Sequence, residues 1–338
     1  GGTGAAGGHP TGQNPPSGAA IYYWLKSPNQ TVSLDFLDAK GALIRSFTSA
    51  QDPIVARDSV RADSLRTARA DSLRRAGVRA DSTVRSETRS EEGAGGGDGP
   101  RRAPPPPRVP NKAGLNTFAW NLRYPDASTF ENMILWAGGT QGPVAVPGTY
   151  SVRLRVAGTP HTQTFRLLKD PRSKATQFDI QEQFSFLLAI RNRTSQANDA
   201  VKLIRSVKSQ LADRRKKIPA AQQAAFATAA TRLETELSNV EQQIYQVRNQ
   251  SGQDPLNYPI RLNNKIAALS GVAASTEARP TNQAREVFRL LSAELDKELA
   301  RVSAATRTAL PEVNRELRAA GLMEIVPATT EASAATPR

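Results

Sequence analysis

The first half of the chain alternates apolar and polar residues with a period of two. In TVSLDFLDAKGALIRSF (31–47), Val32, Leu34 and Phe36 share one side of a strand, and turn chemistry follows at Asp38–Gly41. The same alternation predicts further strands at 19–26, 115–125, 147–158 and 162–170. Short strands separated by turn signals are typical of a small antiparallel β-sandwich of the Ig-like type.

The second half changes to a helical period of about 3.5 residues. Thr176 can cap a first helix, Pro219 stands at the start of a second, and Gly252 is predicted to close that second helix. Its apolar stripe consists of Phe226, Ala230, Leu233, Leu237, Val240, Ile244 and Val247. Two more helices are predicted in LNNKIAALSGVAAS (262–275) and in the segment that begins ARPTNQAREVF (278–288). Four helices with short connections predict an antiparallel bundle.

Together the patterns predict an α+β multidomain protein. Its predicted parts are a flexible linker at 1–18, an Ig-like sandwich at 19–171 with a disordered insert at 52–113, a four-helix antiparallel bundle at 172–326 and a disordered tail at 327–338. The opening GGTGAAGGHP has linker composition, and we expect a further region to precede it.

The insert contains three copies of RADS and is rich in arginine. Residues 52–113 hold 13 Lys/Arg against 9 Asp/Glu, so they account for only +4 of the formal net charge of +14. They contain no aromatic residue on which a nucleic-acid base could stack. We therefore expect a self-neutralising surface loop and no nucleic-acid partner. A polyanion-binding arm, and nucleic-acid binding through residues 57–89, stay open as alternatives.

Composition excludes several kinds of chemistry. The chain has no cysteine, and its two histidines, His9 and His161, lie in Gly/Pro-rich or turn sequence, which argues against cysteine-ligated zinc and Ser-His-Asp catalysis. The sequence contains no apolar run of about 18 residues, which is the length that would predict a membrane span. Asp126 and Glu131 are a possible carboxylate pair for glycoside hydrolysis, but nothing in their spacing singles them out. The sequence thus predicts no catalytic, cofactor-binding or metal-binding residue, and no cofactor.

Aromatic and apolar residues are the remaining candidates for a binding site. Tyr22, Tyr23, Trp24, Trp120 and Trp136 could form a sugar-stacking platform, although aromatics in so small a sandwich more often fill the core or a domain seam.

The Gly/Pro-rich segment MILWAGGTQGPVAVPGTY (133–150) adds apolar residues that suit packing onto a neighbouring domain. The candidate docking or ligand surface therefore consists of Met133, Leu135, Trp136, Trp24 and Trp120.

Several long stretches resemble a known family. HPTGQNPPSGAAIYYWLK, VSLDFLDAKGALIRSF, GLNTFAWNLRYPDA, MILWAGGTQGPVAVPGTYSVRL, LLKDPR and YPIRLNNKIAALSGVAASTEARPTNQAREVF are similar to the region after the β-propeller in bacterial sortilin-like, BNR-repeat proteins described as glycosyl hydrolases. The resemblance covers about 19–51 and 113–322, and the RADS insert departs from the family pattern.

The resemblance implies a secreted, periplasmic or cell-envelope protein in which an N-terminal propeller precedes this region. Any hydrolytic site would be expected on the propeller, and no catalytic residue carries over to this chain. We expect a non-catalytic accessory module that docks on the propeller or on another partner. The alternatives are a module that binds cell-surface glycan or a polyanion, and a hydrolase with its own site at Asp126 and Glu131.

Overall fold

The computed structural model describes residues 17–50 and 107–327. Most of the predicted linker, insert and tail lies outside these residues. The described chain has a mixed α+β architecture, with six strands in two antiparallel sheets followed by helices.

Strands form in the segments where the alternation predicts them. Their bounds are β1 Ala19–Leu25, β2 Val32–Leu37, β3 Leu43–Thr48, β4 Gly114–Trp120, β5 Gly148–Val156 and β6 Thr159–Leu167. β1 and β4 form a two-stranded sheet, and the other strands form a four-stranded sheet in the order β3-β2-β5-β6. The prediction of 115–125 as one strand is wrong at its end, because Leu122 takes a positive φ of 61° and breaks the alternation.

The two sheets share one apolar core. Trp120 is fully buried and stacks on Phe36 with ring centroids 4.6 Å apart, and Phe47 packs against Phe118 at 4.9 Å. The indole Nε1–H of Trp120 donates to the backbone oxygen of Arg123 at 3.2 Å, so the polar edge of the ring is satisfied as burial requires. The inward side chains of β1, β2, β4 and β5 therefore hold the sheets together.

Hydrogen bonds join the end of β3 to the residues that precede β4. The Arg108 Nη2–H donates to Ser49 O at 2.9 Å, and the Val109 N–H donates to Thr48 O at 3.2 Å. The residues that flank the segment 51–106 are therefore held side by side.

The helices follow in the second half. Their bounds are α1 Gln177–Arg215, α2 Gln223–Ile244, α3 Leu262–Ala273, α4 Asn282–Arg307 and α5 Ala309–Ala319. Thr176 caps α1 as predicted and forms a capping box with Asp179. Thr308 separates α4 from α5, and the apolar pattern used above does not predict α5. All five helices contribute to a second core that contains Ile204, Leu233 and Leu295.

The predicted end of the second helix is wrong. α2 ends at Ile244, and Val247, the last member of the predicted stripe, is 42% exposed. Tyr245 takes an extended conformation, with φ −131° and ψ 144°, and its hydroxyl accepts from Ile134 N–H at 3.2 Å. This tertiary contact ends the helix well before Gly252.

Amide side chains hold several irregular segments in place. Each of four Asn or Gln side chains accepts from the N–H and donates to the C=O of a single residue in a segment without regular structure. The four pairs are Asn116 with Lys112, Gln210 with Val326, Asn264 with Trp136 and Asn314 with Ile325. These amide clamps take the place of a neighbouring strand, because irregular backbone at a packed seam still requires hydrogen-bond partners.

Candidate binding sites

The outer face of the two-stranded sheet is unusually apolar. In β1, Tyr23 and Leu25 point into the core, while Tyr22 and Trp24 point outwards and are 63% and 72% exposed. Leu115, which is 66% exposed, lies directly opposite Trp24 on β4. We call Tyr22, Trp24 and Leu115 the sheet face. Outward positions of such sheets are usually polar, so this face is suited to apolar contact and ring stacking.

Gly114 shapes the sheet face. It has a positive φ of 90°, and a side-chain carbon added there would lie 3.8 Å from Cη2 of Trp24. The indole ring therefore lies over the first residue of β4, where a larger residue would strain the backbone. This places the Trp24 ring near the end of β1, because Gly114 pairs with Leu25.

A long connector, residues 121–147, links β4 to β5 and closes on itself at its base. The Ala145 N–H donates to Leu122 O at 2.7 Å, and the Tyr124 N–H donates to Pro143 O at 3.0 Å. At Gly142 a side-chain carbon would lie 2.1 Å from Tyr124 O, so this close approach requires glycine. The two arms of the connector thus form an irregular ladder.

The middle of the connector is fixed to α1. Ser128 N–H donates to Ser195 Oγ and Ser128 Oγ–H donates to Ser195 O, each at 3.1 Å. Asn198 Nδ2–H donates to Ser128 O at 2.7 Å. These bonds come from one polar stripe of α1, so that helix holds one side of the connector.

The tip of the connector is fixed to α2 and α3. Phe130 packs edge-on against Tyr245 at 4.8 Å, and the guanidinium of Arg205 lies over both rings. Arg205 also pairs with the buried Glu241 at 2.7 Å. The Asn264 clamp completes the attachment at Trp136, with both hydrogen bonds at 2.7 Å. The connector therefore couples the sheets firmly to the helices.

The predicted surface residues do not form one surface. Met133 is half-buried against the helical core, Leu135 is half-buried, and Trp136 is 41% exposed beside α3. Trp24 is exposed on the sheet face, whereas Trp120 is fully buried between the sheets. Trp120 therefore cannot belong to a ligand surface, because its ring fills the core. Within the apolar segment that suggested docking, Met133 packs against this chain's own helical core, while Val144 is 46% exposed.

The two candidate carboxylates have separate surroundings. Asp126 is exposed, and its Oδ1 accepts from the Gly142 N–H at 2.9 Å, which helps to hold the base of the connector. Glu131 is exposed at the tip of the connector, where its backbone oxygen faces Arg205. Nothing in the hydrogen bonding of the described residues joins the two carboxylates. In the described part of the chain, no cluster of three or more His, Asp or Glu side chains could hold a metal ion.

A cleft of about 650 Å³ lies between the base of the connector, the end of β6 and the helices α1 and α3. Leu122 and Val146 line it from the connector, and Phe184 and Leu187 line it from α1. Its size falls within the range of about 300–1,000 Å³ that is typical of small-molecule sites. The cleft is the second candidate binding site.

Arg191 contributes to the floor of this cleft. Its side chain belongs to α1, is 8% exposed, and has a buried Nε–H without a hydrogen-bond partner. Burial lowers the pKa of the Arg191 guanidinium, and the charge of Asp126 opposes that shift. Sequence reasoning missed Arg191. The available signal was its spacing from Thr194 and Asn198, a polar stripe three to four residues apart beside the apolar stripe.

None of the helices in the described ranges is long and apolar enough to cross a membrane. Comparison with protein-family models, with curated proteins and with solved structures finds no match to this chain.

Proposed function

We propose that this chain is a non-catalytic accessory module that docks through its sheet face onto a neighbouring domain. The observation that carries the proposal is the exposure of Tyr22, Trp24 and Leu115 side by side on β1 and β4. Large aromatic side chains dominate the energetics of protein interfaces when a partner covers them. As part of this proposal, we describe the two halves as an Ig-like sandwich and an antiparallel helical bundle.

The proposed partner is a β-propeller that precedes this region in the same polypeptide. The resemblance to sortilin-like, BNR-repeat proteins supports that choice. β1 begins at Ala19, so a domain before residues 1–18 would be tethered on the same strand as Tyr22 and Trp24, with Trp24 about 20 Å along it from residue 18. A secreted or cell-envelope location belongs to the same proposal.

The connector determines what such docking would do. It fixes the sheets to α1, α2 and α3 through buried and partly buried hydrogen bonds. A partner held at the sheet face would therefore have the helices placed at a set distance and angle. The proposed mechanism is positioning, and it needs no bond-making residue in this chain.

Association in trans tests the docking proposal. We would immobilise the 338-residue chain and measure binding of the separately produced upstream region. We expect binding, and we expect Trp24→Ser to weaken it at least tenfold, because that substitution removes the largest apolar side chain of the face. Leu256→Ser is the matched control, since Leu256 is 67% exposed and lies in a short turn between α2 and α3.

Two results would contradict the proposal. One is the absence of binding by the unaltered chain at any concentration tested. The other is equal binding by Trp24→Ser and Leu256→Ser, which would place the contact elsewhere.

The geometry also favours a second function, the binding of cell-surface glycan. Tyr22 and Trp24 lie two residues apart on one side of β1, about 7 Å along the strand, so they can stack on successive sugar rings. Titration of a Trp136→Phe variant with N-acetylglucosamine tetramer would report on Trp24, because Trp120 is buried. Saturable fluorescence change favours glycan binding, and no change at millimolar tetramer counts against it.

A further inference from the structure

Arg191 is a buried cation that the fold leaves unpartnered. Within residues 17–50 and 107–327 its guanidinium takes part in no hydrogen bond or ion pair, and its Nε is fully buried. Other arginines of α1 are paired: Arg193 contacts Asp296 at 2.7 Å, and Arg205 contacts Glu241 at 2.7 Å. An unpaired buried charge is strongly unfavourable, and a water, an ion or a ligand from outside the chain would supply the partner that the fold does not.

The cleft around Arg191 has the form of a ligand site. Ile190, 1% exposed, and Arg191 line its floor, and Leu122, Phe184 and Leu187 belong to its largely apolar walls. The rim is open, since Leu168 at the end of β6 is 77% exposed. A ligand entering from the rim would meet apolar side chains first and the cation at the bottom.

Three of the other charged residues that line the cleft have partners of their own, while the fourth, Glu277, is exposed at the α3 side and forms no ion pair within the described ranges. Arg123 Nη1–H donates to Gly142 O at 2.9 Å. Lys169 Nζ–H donates to the backbone oxygens of Ser173 and Ala175. Asp170 pairs with Arg172 at 2.8 Å on the rim. Among the cleft cations in the described ranges, Arg191 is therefore the one whose side chain makes no hydrogen bond.

Asp126 is the nearby acid whose negative charge favours the protonated form of Arg191. Its Oδ1 already accepts from Gly142 N–H, and it forms no ion pair with Arg191. The Asp126 carboxylate therefore compensates Arg191 from a distance and leaves its Nη1 and Nη2 without a partner in the described ranges. Because Nε has no exposed surface, a ligand carboxylate would pair with Nη1 and Nη2, whose parallel N–H groups match it in bidentate geometry.

We propose that the cleft binds a small monocarboxylate with an apolar body. The carboxylate pairs with Arg191, and the apolar body packs against Leu122, Val146, Phe184 and Leu187. This inference is independent of docking at the sheet face, which involves different residues on β1 and β4.

Calorimetric titration with octanoate tests the proposal, with octan-1-ol as the neutral ligand of equal chain length. We expect one octanoate per chain, bound at least tenfold more tightly than octanol. Arg191→Met keeps the length of the side chain without its charge, and it should remove the difference between acid and alcohol. Arg215→Met is the matched control, because Arg215 lies on the same helix about 36 Å away and is partly exposed.

Two further variants sharpen the result. Arg191→Lys keeps the charge but not the fork and should weaken octanoate binding several-fold, which keeps the test usable if the methionine variant does not fold. Asp126→Asn keeps the acceptor for Gly142 N–H while removing a negative charge, so octanoate should bind several-fold more tightly. Absence of saturable octanoate binding, or equal binding by the unaltered chain and a folded Arg191→Met variant, would overturn the proposal.

Discussion

We predict that the Asn264 clamp contributes strongly to the attachment of the connector to the helices. Its two hydrogen bonds to Trp136 are both 2.7 Å long, and Asn264 is 3% exposed. In Asn264→Leu both backbone groups of Trp136 lose their partner, and each costs about 1–3 kcal/mol if it stays dry. Because Trp136 is 41% exposed, water can reach part of this region, so we expect a total loss of about 2–4 kcal/mol.

Asn264→Asp separates the hydrogen bonds from the volume of the side chain. The new carboxylate still accepts from Trp136 N–H, but its second oxygen faces the Trp136 carbonyl oxygen, so one bond becomes a repulsion. The protonated carboxyl can donate to that carbonyl, and its pKa in the folded variant is therefore raised above the unfolded value. The stability from this bond is fully present below about pH 4 and is lost as pH rises through the folded pKa.

Urea denaturation at pH 3.5 and pH 7, monitored by circular dichroism, measures both variants. Relative to the unaltered chain, the stability deficit of Asn264→Asp should be larger at pH 7, whereas the deficit of Asn264→Leu should be nearly the same at both. Asn282→Leu is the control, since Asn282 is exposed and its side chain has no hydrogen bond among the described residues. If Asn264→Leu unfolds within about 0.5 kcal/mol of the unaltered chain, the range of ordinary surface substitutions, the clamp does not hold the connector.

Three further predictions concern the sheets. Burial alone would raise the pKa of Asp35, but hydrogen bonds from Ser46, Arg153 and Arg155 outweigh it and lower the pKa, so this carboxylate stabilises the fold above about pH 4 and the benefit disappears as pH falls. Asp35→Asn should cost about 1–2 kcal/mol at pH 7 and nothing in acid, and equal cost at both pH values in urea titrations would refute this. Trp120→Ala should cost about 3–5 kcal/mol and Trp24→Ala less than about 0.5 kcal/mol, which thermal denaturation of the two variants compares directly. Replacing 51–106 by about six Gly/Ser residues should raise stability by about 2 kcal/mol through a shorter loop closure, and loss of the native circular dichroism spectrum would show that the segment supports the sheets.

Alternation was enough to find the strands, because most of them have one side in the shared core and β6 adds Phe165 and Leu167 at its edge. It could not tell which aromatic residues are covered. Trp24 and Trp120 both stand in alternating segments, but the first faces outwards from β1 and the second faces the opposite sheet. That difference depends on how the two sheets pack, which no local pattern contains.

The heptad pattern predicted the buried residues of the helices, but it did not predict where a helix ends because of a contact with a residue distant in sequence. α2 should have continued to Val247, yet Tyr245 leaves the helix to bond Ile134 in the connector. Arg191 was missed for a related reason. A single arginine in a helix predicts a solvated side chain, and the burial of this one depends on how other elements pack against α1, which the local pattern does not contain.

The amide clamps also make the connections between elements of this protein sensitive to chemical change of the amide side chains. Asparagine and glutamine are among the thermolabile residues, since their side-chain amides hydrolyse slowly to acids. At Asn264 and Asn314 the donor that faces a backbone carbonyl would then become an acceptor. Damage at either position would loosen a connection between elements while the sheets and helices themselves stay intact. A molecule in which Asn264 has become aspartate should therefore keep its sheets and helices while the connector loosens from α3.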